Sequence, residues 1–178
     1  MHNTNEHNNV KITRENTKAT GILTVWTILA LLIGGIGGYF IGRSLGFASG
    51  ETKEKSVELN NNMRKEWINH IVLTHEYMKA TMSDNPDSKI FADAAMENAE
   101  NIAGIFGEYY EGDAEQKLSD LLKTHVSLTK DNIEAIKRND EAIMDNLEES
   151  LKNNTNEIAN YLNSINPDWD KMELTAMI

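Results

Sequence analysis

Hydrophobic and polar positions obey two different rules along this chain. From Thr20 to Gly42 there is no polar face at all: 23 residues lie between Lys18 and Arg43 without a charge. As a helix rising about 1.5 Å per residue, that run covers roughly 34 Å, enough for a bilayer core of about 30 Å. Beyond it, apolar residues recur every three or four positions and the alternation of β-strands is absent. The pattern predicts an all-α protein: a single transmembrane helix at 20–42, then an up-down-up-down four-helix bundle with a short C-terminal helix.

Two other readings of the apolar run fit less well. A cleavable signal peptide has a shorter apolar core of about 7–15 residues, and Arg43 interrupts the approach to the small-x-small site Gly46-Phe47-Ala48. A buried helix of a soluble domain shows a polar face, which this segment lacks. Lys and Arg nearly balance across the two ends of the run, so the positive-inside rule decides little. The short N-terminus is expected inside, which gives a single-pass cell-membrane protein with an extracytoplasmic C-terminal domain.

Segment boundaries follow from the same pattern. Residues 1–19 form a polar tail expected to be disordered, and 43–55 a linker, in part a continuing helix. Residues 56–178 form one bundle domain. Its helices are expected at about 54–82, 88–108, 114–138 and 141–164. Met63, Trp67, Ile71, Thr74 and Met78 mark the core stripe of the first, and Phe91, Ala94, Ala95, Ile102, Ile105 and Tyr109 that of the second. Leu118, Leu121, Leu122, Leu128, Ile133 and Ile136 mark the third. Met144, Leu147, Leu151, Ile158, Tyr161, Leu162 and Ile165 mark the fourth. Asn166-Pro167 reads as an N-cap with proline at the first helical position, opening a short helix through Met177. Trp67 and Trp169 are expected to close opposite parts of the core.

Charge narrows the partners. The chain carries 17 Lys plus Arg against 28 Asp plus Glu, and residues 44–178 alone hold 13 against 26. That surplus of acid disfavours nucleic acid and suits a solvated surface. In and beyond the apolar run, Gly34, Gly38, Gly42 and Gly46 follow a four-residue spacing that forms a glycine zipper along one helix face. Such a face admits a second helix backbone, so a homo-oligomer through the anchor is expected.

The chemistry-bearing candidates interrupt the apolar stripes. His70, Asn98, His125 and Asn154 fall one per helix, each about 13–15 residues from a turn, or close to 20 Å along its helix, which sets all four at one level. Thr74 and Thr129 extend the layer by a turn, and Asn101 and Glu157 reach its edge. Three readings compete. A hydrogen-bonded network would fix helix register. A small ligand would be held by His70, Asn98, His125, Asn154 and Thr74. A metal ion, the one cofactor considered, would take His70 and His125 with Glu66 and Glu157, although di-iron bundles use more carboxylates and paired Glu-x-x-His motifs. No nucleophile–base–acid arrangement is legible. The expected function is therefore a membrane-anchored, non-enzymatic interaction or small-ligand-binding bundle with a protein partner. A metal-binding or redox bundle centred on His70 and His125 is the alternative.

Trp67 to His70, Asn98 to Ile102 with Tyr109-Tyr110, Leu121 to His125, Asn154 to Ala159 and Asn166 to Trp169 together form a further pattern. Across about 100 residues it resembles an uncharacterised family of small bacterial helical-bundle proteins. The resemblance implies a helical bundle and no particular activity. Members carry an acid where this chain has Asn101.

Overall fold

A computed structural model describes residues 50–178 apart from 168. Among the described residues five helices follow one another: α1 (Gly50–Met82), α2 (Ser88–Gly107), α3 (Ala114–Arg138), α4 (Glu141–Ile165) and α5 (Lys171–Met177). No strand occurs among the described residues. The expected span at 20–42, the tail 1–19 and the glycines Gly34, Gly38, Gly42 and Gly46 lie outside the described residues. No helix among those described is long and apolar enough to cross a membrane.

The turns explain the helix boundaries. Asp84, in the left-handed region at φ 57°, turns the chain out of α1, and Gly112 at φ 82° takes the same region between α2 and α3. Asn139 ends α3 at φ 56°, ψ 43°, its N–H returning to the carbonyls of Ala135 and Ile136. Small polar residues and glycine tolerate that region best. Asp140 then caps α4, accepting from the Ile143 N–H at 3.3 Å, which satisfies one of the donors a helix start leaves unpaired.

The last helix departs from the sequence expectation. Asn166 does not open it: at φ −134°, ψ 99° it is extended and returns its N–H to Leu162, ending α4. Pro167 forces this, because its ring disfavours helical geometry at the preceding residue. Asp170 is the actual cap of α5, its carboxylate accepting from the N–H groups of Met172 (2.9 Å) and Glu173 (3.0 Å). The first helix also begins earlier than 54, at Gly50, inside the segment expected as a linker.

The helices pack like a four-helix bundle in sequence order. Helix α1 lies on α2, α2 on α3, α3 on α4 and α4 on α5, while α1 also meets α3. Backbones of α1 and α4 make no close approach. Leu59, Met63, Ile102, Phe106, Leu118, Ile133, Ile158 and Leu174 supply the most enclosed large side chains of the core. In α2 the face turned inward is Ala95, Ala99, Ile102, Ala103 and Phe106, whereas Phe91, Ala94, Ile105 and Tyr109 are only half-buried. In α4 nothing is buried before Asn154; Met144, Leu147 and Leu151 are half-buried.

Helix α5 closes the end of the bundle where α2 stops and α3 starts. Trp169 meets Phe106 and Tyr110 edge-on, with ring centroids 5.8 and 6.0 Å away, and Phe106 stacks on Tyr110 at 5.6 Å. Offset and edge-to-face rings are the favoured aromatic arrangements. Trp67 and Phe106 line the same small cavity. The two tryptophans therefore share one half of the core, contrary to the expectation that they close opposite parts.

Candidate functional site

The four polar residues that break the apolar stripes are all buried: His70 (6 % exposed), Asn98 (3 %), His125 (8 %) and Asn154 (3 %). They form two pairs. His70 Nδ1 lies 3.0 Å from Asn98 Oδ1, and His125 Nδ1 lies 3.0 Å from Asn154 Oδ1. An amide oxygen only accepts, so each imidazole donates from Nδ1–H and keeps Nε2 as its lone-pair nitrogen. Each asparagine in turn donates its Nδ2 one turn back along the partner helix. Asn98 reaches the Glu66 carbonyl (3.1 Å) and the Glu66 carboxylate (2.9 Å). Asn154 reaches the Leu121 carbonyl (3.1 Å). Glu66 and Leu121 stand four residues before their histidines, so the two pairs are the same device built twice.

That duplication is written in the sequence. His70-Ile71-Val72-Leu73-Thr74 matches His125-Val126-Ser127-Leu128-Thr129 at His, Leu and Thr. Asn98 to Ala103 matches Asn154 to Ala159 at Asn, Ile and Ala. The α1–α2 and α3–α4 hairpins are thus two versions of one unit, a signal that separations counted along the chain do not reveal but self-alignment does.

Electrostatics keep both rings neutral. Burial lowers the His70 pKa to about 4, with the nearby His125 charge adding to the fall and the Asn98 hydrogen bond opposing it. Burial likewise lowers His125, against the Asn154 hydrogen bond. A charged imidazole leaves water at a cost that a neutral amide does not recover.

The remaining candidates are dispersed. Thr74 is buried a turn beyond His70, and Thr129 is half-buried. Glu66 belongs to the layer through Asn98, and its carboxylate keeps an edge to solvent, with 15 % of the side chain exposed. Glu157 and Asn101 are exposed. Among the described residues no group of three or more His, Cys, Asp or Glu is gathered as metal ligands would be. One turn below the layer, toward α5, lies an apolar cavity of about 20 Å³ lined by residues including Met63, Trp67, Ile102, Leu122 and Ile158. Trp67 lines it; its Nε1 is buried without a hydrogen-bond partner, and its ring meets His70 edge-on at 5.8 Å.

Comparison with protein families, with curated proteins and with solved structures returns no match. The chemistry of the layer therefore rests on its own geometry.

Proposed function

We propose that this protein is a non-enzymatic interaction module, held at a cell membrane by the span at 20–42 and presenting its helical bundle on the outer side. In this reading the His/Asn layer sets which helices pair and at what height, and the acidic surface meets a protein partner. The observation that carries it is the self-sufficiency of the layer: each imidazole Nδ1–H has an asparagine oxygen, and each asparagine NH₂ has a carbonyl one turn back. Polar groups matched in this way specify helix register and leave few donors for a ligand. A cavity of about 20 Å³ beside them is far smaller than the several hundred Å³ of an ordinary ligand site.

A second reading has one observation in its favour. A metal-binding imidazole is held by a hydrogen bond from its other ring nitrogen, and both histidines have that hydrogen bond in place. One preparation of full-length protein tests both readings. Alkaline extraction should leave the chain in the membrane pellet, and deletion of residues 20–42 should release it. Stoichiometric iron, copper or zinc, lost in the His70→Ala/His125→Ala variant, would instead favour the metal reading. Release of the intact chain by alkali would overturn the anchor.

A further inference from the structure

We propose that the outer face of α1 is where a second copy of this chain docks, α1 against α1, side by side in the same membrane. The inference rests on the anchor reading above. Among the large apolar side chains left exposed, Val57 (52 %), Ile68 (54 %) and Val72 (52 %) fall on one face of α1. At about 100° per residue they span about 60° of the helix, on the side away from Met63, Trp67 and Thr74 in the core. Gly50, the first residue of α1, shares their phase.

Charge selects the occupant. From residue 57 to the end of α1 there are three cations (Arg64, Lys65, Lys79) and three anions (Glu58, Glu66, Glu76). Residues 83–178 hold 8 cations against 21 anions. Two copies approaching through α2, α3 or α4 meet a strongly like-charged surface, whereas α1 meets α1 without net repulsion. A strongly basic partner would be drawn to the other helices instead.

Size selects the setting. Three β-branched side chains per copy bury far less than the roughly 1,200–2,000 Å² of a stable free interface. Copies tethered side by side need much less, because the second contact forms at a high effective concentration. The apolar run at 20–42 ends eight residues before α1 begins, so two anchors in one bilayer deliver two α1 helices parallel and in step. A two-fold axis between them then sets Ile68 opposite Ile68 and Val72 opposite Val72.

The chain has no cysteine, which permits a direct test with the full-length protein in its membrane. Single variants V57C, I68C and V72C are oxidised beside I90C and M172C, whose parent residues are exposed elsewhere, 63 % and 79 %. Disulfide-linked species of twice the chain mass are expected several-fold more abundant at 68 and 72 than at 90 and 172. The exposed double change I68E/V72E should remove the V57C cross-link while the protein stays in the alkali-resistant pellet. Equal cross-linking at all sites, cross-linking at 57 alone, or products of any other mass would overturn the proposal. The pellet fraction reports separately whether the anchor stands.

Discussion

The two hairpins solve the same problem with different neighbours. In α1–α2 the asparagine amide spans a carbonyl and the carboxylate of Glu66, which keeps an edge to solvent. In α3–α4 the equivalent position is Leu121, buried, and Asn154 has the carbonyl alone. One copy of the device is therefore vented and the other sealed. An unmatched polar group costs least where water or a charge can reach it, so equal deletions should have unequal consequences.

The largest effect is expected from making the sealed copy resemble the vented one. Leu121→Glu moves a carboxylate into a site that is 8 % exposed, at a cost of about 3–5 kcal/mol for an uncompensated buried charge, measured as a lowered midpoint in urea. Partial recovery below pH 5, as that carboxyl takes a proton, would mark the charge as the cause. A loss under about 1 kcal/mol would show that the α3–α4 site is open to water.

Asparagine deletions should rank the two copies. Asn154→Ala strands the His125 Nδ1–H in the core and leaves the Leu121 carbonyl with its helix bond alone, for about 2–3 kcal/mol. Asn98→Ala strands the His70 Nδ1–H, but Glu66 regains water, and about 1–2 kcal/mol is expected. Equal losses by denaturant unfolding would erase the distinction between vented and sealed.

Protonation gives the smallest and most selective contrast. Both histidines have pKa values below the ordinary 6.5, so the unfolded chain binds more protons than the folded one. Their contribution is intact above about pH 6.5 and declines as pH falls, for His70 until about pH 4. The slope is at most about 1.4 kcal/mol per pH unit for each ring. His125 charge opposes the charging of His70, so His125→Gln should raise the His70 pKa followed by NMR.

Much of this arrangement was legible in the residues. A polar side chain on an apolar stripe must face the core, and counting from the turns set His70, Asn98, His125 and Asn154 at comparable heights. Which histidine takes which asparagine was not legible, because the choice depends on neighbouring helices and on ring orientation. The α2 face was misjudged for a related reason. Ala99 and Ala103 carry little hydropathy, yet both are fully buried and share a helix face with Phe106, whereas Ile105, one position back, is half-buried. Met144, Leu147 and Leu151 show a sound apolar period, but no backbone of α1 comes near α4 to cover them. At the C-terminus a single proline outweighed the capping preference of Asn166.

The two-residue turn Asn139-Asp140 has a consequence for how the chain acquires its shape. A turn this short brings α3 and α4 together while searching little conformational space, and the layer's pairs lie only 28 and 29 residues apart along the chain. Most helix contacts join sequence neighbours, the low contact order of proteins that fold in microseconds to milliseconds. Emerging from the ribosome, each hairpin can close before the next is made, and only the meeting of α1 with α3 has to wait.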